Sequence, residues 1–512
     1  MITSNNLKRI LQQRGLLRAV ISEPSDGTSF CHLSCDSRSV VPDTLFLCKG
    51  NAFRPEYLQD AIHCGCTAYI SEVPYEVPQK ISGYIVNDMR KAIAVVSAAF
   101  FEYDPDHPAL IGITGTKGKT TTAWYLKAML DLWQAELGKP QTGLISTVLN
   151  YDGIHRTDSS MTTPEAPTLH ELIFNAKKSG LSHMTMEVSS QALKYKRVQE
   201  LKFQVGIFLN ISEDHISPQE HEDFEDYFSA KLSIFRQSQI ACVNMDSDYQ
   251  ERILKAARKS GRMITFGRHP QANVHCCDIL TAHDHITFRV ECDHFSERFS
   301  LNMRGKFNIE NAMAAIAAGY ALGIPVHCMQ EALASTHVPG RMEHFFSADG
   351  KICGIVDFAH NRLSFEKLFD AIFEEYPEYK KIITVFGCPG GKAFNRRREL
   401  GILAGLFSDY VYITIDDPGM ESQETISEEV RRYVEMVGCA CSCISDRKDA
   451  VRAAVAMAAA QREKTMILVL GRGSEKYQKI GNHSYRYPTD SDLLSDALRS
   501  CPCSLSLASD AR

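Results

Sequence analysis

The stretch Gly112-Ile113-Thr114-Gly115-Thr116-Lys117-Gly118-Lys119-Thr120-Thr121-Thr122 joins an apolar run, Ala109 to Thr114, to an amphipathic one, Thr120 to Leu132. The first reads as a strand and the second as a helix, with a glycine loop turning the chain between them. Glycines lack Cβ, so backbone N–H groups can crowd around phosphate oxygens, and the helix N-terminus adds its positive dipole end. Lys119 is placed to reach β- and γ-phosphates, and the Thr120 hydroxyl to bind Mg²⁺. Gly115, Thr116, Lys117, Gly118 and Thr121 complete the expected cradle. The general phosphate-loop pattern needs glycine where Ile113 stands, so the loop reads as Gly115-Thr-x-Gly-Lys-Thr. Alone it specifies a nucleoside triphosphate and nothing further.

Strand and helix alternate on both sides of this loop. Upstream, Thr44 to Cys48 reads as a strand, Tyr57 to Cys64 as a helix and Thr67 to Ile70 as a strand. Asp104-Pro105-Asp106-His107-Pro108 then breaks the chain as a linker would. Downstream, strands around Met184 to Val188 and Val205 to Leu209 alternate with helical stretches, which predicts a parallel sheet covered on both faces. Shorter alternating runs in Ala272 to Asn302 predict a small antiparallel insert. After a second break at Val338-Pro339-Gly340, strand runs at Lys381 to Phe386, Tyr410 to Ile415 and Thr465 to Leu470 predict a second doubly wound, Rossmann-like unit. The fold class is therefore α/β with three domains, at 1–105, 106–337 and 338–512.

Bulk composition narrows the function classes. The 512 residues suffice for about three domains. A net charge of -6 and a pI of about 6.3 give no reason to expect nucleic acid or an anionic membrane as partner. No segment reaches the ~20 apolar residues a span needs, and Ala453 to Ala460 reads as a buried helix. The first residues have no apolar core of a secretory signal, so the expected compartment is the cytoplasm. The 17 cysteines include no paired C-x-x-C knuckles, so they read as thiols of a reducing compartment.

Carboxylates cluster where ligands gather in such sheets. Glu187, in Met186-Glu187-Val188-Ser189-Ser190, lies at the carboxyl end of a predicted strand and could ligate a metal. His215, in Asn210-Ile211-Ser212-Glu213-Asp214-His215, follows the next strand in the same way, although hard Mg²⁺ prefers oxygen. Lys231 sits in the apolar helical stretch Phe228 to Phe235 and, on these grounds alone, reads as a lysine snorkelling to the surface.

These segments occur in a fixed order with Met161-Thr162-Thr163-Pro164, Arg197, Ala230-Lys231, Asn308-Ile309-Glu310-Asn311, Val338-Pro339-Gly340-Arg341-Met342-Glu343, Asp357-Phe358-Ala359-His360 and Gly471-Arg472-Gly473-Ser474-Glu475. Together they resemble the signature of the Mur ligases, in particular the branch that adds the third residue of the peptidoglycan stem peptide. The resemblance runs from about Asp36 to Asp490. It implies a monomeric ATP-dependent ligase that joins an amino acid to UDP-N-acetylmuramoyl-L-alanyl-D-glutamate through an acyl phosphate, with Mg²⁺. It implies a first domain that holds the uridine nucleotide through Cys35-Asp36-Ser37 and Asn51-Ala52-Phe53. Thr162, Thr163, Ser189 and Arg197 would contact the muramoyl peptide, and Asn311, Arg341 and Asp357 the ATP. Lys119, His215 and Lys231 would be catalytic; Thr120, Glu187, His215 and a carbamylated Lys231 would face the metal; and Arg397, Asp416, Asp417, Gly471 and Glu475 would hold the incoming amino acid. The chain departs from the pattern at Asn361-Arg362-Leu363, where Pro-Asp is usual, and at Tyr195, where close relatives carry glutamine.

The segment Asp416-Asp417-Pro418-Gly419-Met420-Glu421 bears on which amino acid is added. Relatives that add meso-diaminopimelate read Asp-Asn-Pro-Arg there, and the arginine grips the distal carboxylate. With Gly419 in its place and Asp417 for asparagine, formal charge falls from 0 to -2 over the four positions. Glu421 adds another negative charge. The pocket is expected to take a distal ammonium, hence L-lysine, or L-ornithine as the shorter alternative, with Arg397 on the α-carboxylate. A folylpolyglutamate-type ligase is a competing reading, disfavoured by the Asp36-Ser37-Arg38 segment ahead of the loop. A silent scaffold would be expected to lack Lys119, Glu187, His215 or Lys231, and a motor-type NTPase would hydrolyse ATP without the muramoyl substrate.

Overall fold

The computed structural model describes all 512 residues except 25–26, 51–52, 215, 218–219, 282–284, 482 and 502–512. Three large sheets follow one another along the chain, beside two small two-stranded ones, as an α/β protein built from successive strand–helix units requires. In the first, strands lie in the order Leu17–Ile21, Ser82–Val86, Cys66–Ser71, Thr44–Leu47 and His32–Ser34. Only the Leu17–Ile21 edge runs antiparallel. Pro55–His63 and Met89–Phe100 are the main helices over it.

The central sheet places Ala109–Thr114 between His183–Glu187 and Phe203–Phe208, all parallel. Ile111 and Ile113 are fully buried, because neighbours cover both edges and helices cover both faces. The phosphate-loop helix runs Lys119–Glu136, four residues beyond its expected end. Its buried Ala123, Leu126, Met129 and Leu130 recur every three or four residues and pack against the alanine-rich helix Phe307–Leu322. The segment expected to be a small insert differs in placement. Its strands Val274–Thr281, Ile286–Glu291 and Ser296–Leu301 pair antiparallel with one another, yet Val274–Thr281 also pairs parallel with Arg262–Gly267. They therefore extend the central sheet to 11 strands. At the opposite edge Gly143–Ile145, Leu149–Tyr151 and Arg156–Asp158 add strands too short to show a period in sequence.

The last sheet runs Glu343–Phe346, Ile352–Asp357, Thr465–Leu470, Lys381–Phe386, Tyr410–Ile413 and Ala440–Cys443, with only the first strand antiparallel. Helix Arg447–Ala459, which includes the apolar run Ala453 to Ala459, packs Ala450, Val451, Ala454 and Val455 into this unit's core. Its first residue makes a buried two-pronged ion pair, Arg447 donating to both carboxylate oxygens of Asp490 at 2.6 and 2.8 Å. Asp490 also accepts from Gly473 N at 3.0 Å, and Arg447 donates to Leu470 O at 2.7 Å. This network fixes the turn that follows strand Thr465–Leu470. Among the described residues no helix is long and apolar enough to cross a membrane.

Candidate active site

The carboxyl ends of the central and last sheets face each other across a cleft of about 930 Å³. In the central sheet, register aligns Glu187 with Ile113 and Phe208 with Thr114, so the segments after three adjacent strands emerge side by side. Gly118 caps the loop helix at φ +86°, a conformation glycine adopts without strain. A Cβ there would fall 2.0 Å from Asn311 Oδ1, so the absence of a side chain is what lets Asn311 close against the loop. Lys119 folds back, its Nζ donating to Gly115 O at 2.9 Å and Thr116 O at 3.2 Å. Burial lowers its pKa, while Glu187 and Asp214 oppose the shift.

Glu187 is buried and accepts from the Thr120 hydroxyl at 3.1 Å and from Thr147 N at 2.7 Å. Arg341 reaches across from the last unit and donates to Thr120 Oγ1 at 3.2 Å, its guanidinium lying 4.5 Å over the Phe358 ring. Asp357, at the end of its strand, accepts from Met342 N and Ala359 N, both at 2.8 Å. Burial raises its pKa against the pull of Arg341. Thr116, Lys117, Gly118, Lys119, Thr120, Thr121, Asn311, Arg341 and Asp357 thus all line one cleft. Gly115 contributes its carbonyl.

Lys231 does not snorkel. It is 2% exposed and donates to the same Gly115 carbonyl at 2.8 Å, with its Nζ 4.8 Å from the Tyr227 ring centre. The helix Phe224–Leu232 points it inward because the sheet end, rather than solvent, lies beyond that face. Burial and the neighbouring Lys119 and Lys117 push its pKa well below the usual lysine value. His215 lies outside the described residues, as do Asn51 and Ala52.

At the other end of the cleft, the Thr163 hydroxyl donates to Glu187 O at 2.9 Å and accepts from Ser189 N at 3.0 Å. The Thr147 hydroxyl bonds Thr162 at 3.3 Å. Arg197 donates to Thr163 O at 3.2 Å and pairs with Glu165 at 2.9 Å. Glu165 in turn pairs with Lys49 of the first sheet's unit at 2.6 Å. Cys35 lies within reach of both Lys49 and Glu165, and burial raises its thiol pKa. Ser37 is not among the residues lining the cleft. It opens a short 3-10 turn, Ser37–Ser39, capped by Asp36. Phe53 packs against Tyr57 and Tyr75. Tyr195 lies under the Arg90 guanidinium at 4.1 Å, so the departure from glutamine supplies a contact to the first unit.

Asp416, Asp417, Gly471 and Glu475 line the end belonging to the last unit. Arg397 does not. Its guanidinium is 3% exposed and committed to Glu421 at 2.6 and 2.8 Å and to Glu429 at 2.8 Å. The neighbour one position back, Arg396, faces the cleft and pairs with Asp214 at 3.3 Å. Nor does Glu421 charge the pocket as its sequence position suggests: paired with Arg397 and accepting from Gly391 N at 3.0 Å, it adds no free charge there. Asp417 pairs with the buried Arg472 at 3.2 Å and accepts from Lys479 N at 2.9 Å. The acidic groups left facing the pocket are Asp416, which lies 3.9 Å from Arg472, and Glu475. Burial, then Asp416, raises the Glu475 pKa to about 8.

The Mur ligase middle domain matches residues 113–319, and the Mur ligase glutamate ligase domain matches residues 340–473. The chain is 37% identical to the UDP-N-acetylmuramoyl-L-alanyl-D-glutamate--L-lysine ligase of Enterococcus faecalis, over 90% of this chain and 89% of that one. The chain belongs to the Mur ligase family. It is 34% identical to the UDP-N-acetylmuramyl-tripeptide synthetase of Lactobacillus acidophilus over 96% of both chains. It shares its fold with MurF from Acinetobacter baumannii at TM-score 0.65 and 19% identity, covering 97% of this chain and 98% of that one.

As a Mur ligase the chain is an ATP-dependent enzyme that forms amide bonds. Several residues that hold its cleft together have no role in the sequence reading. Asp214 ties the central unit to the last one, accepting from Asn361 Nδ2 at 2.6 Å as well as pairing with Arg396 and with Lys117 at 3.6 Å. Arg472 and Gln478, the latter donating to Asp416 O at 3.1 Å, shape the loop that carries Asp416. His360 also lines the cleft; its Nδ1 lies 2.7 Å from Phe358 O, and burial with Lys117 and Arg396 nearby keeps it neutral. Asp214 and Arg472 stand inside motifs that were legible, but only their neighbours had an assigned role.

Proposed function

We propose that this Mur ligase adds L-lysine to UDP-N-acetylmuramoyl-L-alanyl-D-glutamate in the cytoplasm. The observation that carries the reading is the amino-acid end of the cleft. Asp416 and Glu475 both face it, Arg397 is spent on Glu421 and Glu429, and the buried Arg472 lies 3.2 Å from Asp417 and 3.9 Å from Asp416. A distal ammonium fits beside these two carboxyl groups, while a distal carboxylate would meet Asp416 and, where ionised, Glu475, with Gly419 in place of an arginine grip. Relatives named as L-lysine ligases, in Enterococcus faecalis and Streptococcus suis, support the choice.

In this reading residues 1–105 hold the uridine nucleotide, 106–337 bind ATP and 338–512 bind lysine. The D-glutamyl carboxylate of the precursor attacks the γ-phosphorus of ATP. A carboxylate–phosphorus bond forms, the bond to the bridging oxygen breaks, and ADP leaves. The lysine amine then attacks the acyl carbon, loses a proton and expels phosphate. Lys119 and Arg341 stabilise negative charge as it spreads over the transferring oxygens, within a buried site where such interactions are strong. Thr162, Thr163, Ser189 and Arg197 position the precursor, and Asn311 and Asp357 the nucleotide.

The donors at Thr120 and Glu187 are oxygens 3.1 Å apart, which suits hard Mg²⁺. A bare Lys231 ammonium does not suit it. A neutral amine at Lys231, which its lowered pKa favours, can add CO₂ with loss of a proton to give a carbamate oxygen donor. Bound there, Mg²⁺ would supply charge neutralisation at the phosphates. The deciding experiment measures phosphate release and tripeptide product with L-lysine, L-ornithine and meso-diaminopimelate at equal concentration. Preference for L-lysine is expected; preference for meso-diaminopimelate would overturn the charge argument.

A further inference from the structure

Away from the cleft, two places among the described residues bring three potential ligand atoms within 4.8 Å of one another: Glu136, His327 and Cys328, and His275, Cys277 and Glu291. The two differ in the charges around them. Cys277 has Arg289 directly opposite in register, and its thiol is acted on by Glu291 and Asp278 and, more weakly, by Arg289 and Arg298; His275 Nε2 is engaged with Arg268 O at 3.2 Å. Two cations thus stand beside that cluster. At Cys328 the charged groups acting on the thiol, Glu136 and Glu331, are both acidic.

The geometry of the first cluster fits a metal. Cys328 Sγ lies 3.4 Å from His327 Nε2, and that nitrogen lies 2.5 Å from Glu136 Oε1. Tetrahedral zinc holds nitrogen and oxygen at about 2.0–2.1 Å and sulfur at about 2.3 Å, which separates neighbouring ligands by roughly 3.3–3.6 Å. The nitrogen–sulfur pair already meets that spacing. The nitrogen–oxygen pair has to open by about 0.8 Å to reach it. The His327 and Glu136 side chains are 63% and 49% exposed, so turning them costs little. Cys328, by contrast, is 1% exposed and held by the packing of helix Val326–Ser335, a fixed anchor for two adjustable arms.

We propose that Glu136, His327 and Cys328 form a binding site for a thiophilic divalent cation, zinc in particular, with water or Glu331 in the fourth position. Burial and the two carboxylates hold the free thiol at a pKa of about 11, so binding proceeds as Cys–SH + Zn²⁺ → Cys–S–Zn⁺ + H⁺. Glu136 is the last residue of the helix whose first turn carries Lys119 and Thr120. The ion would staple the far end of that helix to helix Val326–Ser335. It would thereby stabilise the unit that holds the phosphate loop, by mass action.

The test uses the full-length protein freed of metal, titrated with Zn²⁺ against a chromophoric chelator, and with Co²⁺ for its spectrum. One zinc per chain with a Kd below about 10 μM is expected, with a thiolate-to-cobalt charge-transfer band. His327→Ala, at an exposed position, should keep the metal-free melting temperature and weaken zinc at least tenfold. Cys328→Ser should abolish the cobalt band, and Cys277→Ser should change neither. Zinc should raise the melting temperature of the parent and not that of His327→Ala. No zinc bound at that level, or parent-like affinity in both His327→Ala and Cys328→Ser, would overturn the site and leave Glu136 and His327 as a surface ion pair only.

Discussion

If Glu475 holds the side-chain ammonium of lysine, its raised pKa makes lysine capture pH-dependent in a definite direction. The carboxyl titrates at about 8 because burial and Asp416 disfavour its ionised form. Only the ionised form attracts an ammonium, so apparent affinity is reduced by the fraction ionised. The KM for lysine should scale as one plus the ratio of protonated to ionised Glu475. Between pH 8.5 and 6.5 that factor grows about 25-fold, from near one to roughly 30. Lysine keeps its ε-ammonium across this window, since that group titrates near ~10.4. The assay is phosphate release at saturating ATP and muramoyl precursor, with KM for lysine taken at half-unit steps. Glu475→Gln removes the titrating charge and one charge-assisted bond, so its KM at pH 8.5 should be roughly 10- to 150-fold above the parent's. The reactive α-amine titrates in both proteins, so any slope it imposes is shared and cancels in the ratio. Equal steepness in parent and Glu475→Gln would refute the argument, as would a parent KM that does not change with pH.

Three further outcomes are expected. Lys119→Ala should fold as the parent by circular dichroism and lose on the order of 10²-fold or more in turnover, because it removes a cation from the transferring phosphoryl group. Lys231→Ala should be nearly inactive, with acetate or formate partly restoring turnover in proportion to concentration; indifference to both would speak against a carboxylate-like group at that position. Asp490→Ala should cost about 3–5 kcal/mol in urea unfolding, because it leaves the fully buried Arg447 guanidinium unpaired, and replacing both partners by apolar residues should recover much of that loss.

What could be read from the sequence depended on whether the cause was local. The phosphate loop is local: a strand, two glycines and a helix start fix Lys119 and Thr120 within a dozen residues, and the structure places them at one end of the cleft. The strands Gly143–Ile145 and Leu149–Tyr151, next to the Arg156–Asp158 edge, are three residues each, too short for a period of two to emerge, and they exist because neighbouring strands offer hydrogen bonds. Lys231 shows the same limit in a side chain. Its apolar helical context reads as that of a surface lysine, and only the sheet end packed against that helix reverses the reading. The amino-acid pocket is the sharpest case. Counting charges along Asp416 to Glu421 gives three acids, yet two are consumed by arginines 55 residues later, for Asp417, and 24 residues earlier, for Glu421. Neither partner is visible as one in a linear reading, because side-chain pairing across strand ends has no sequence period. The proposal of an ammonium-binding pocket rests on different grounds. It draws not on the number of acids in the loop but on Asp416 and Glu475, which converge from two strand ends, and on the commitment of Arg397 to Glu421 and Glu429.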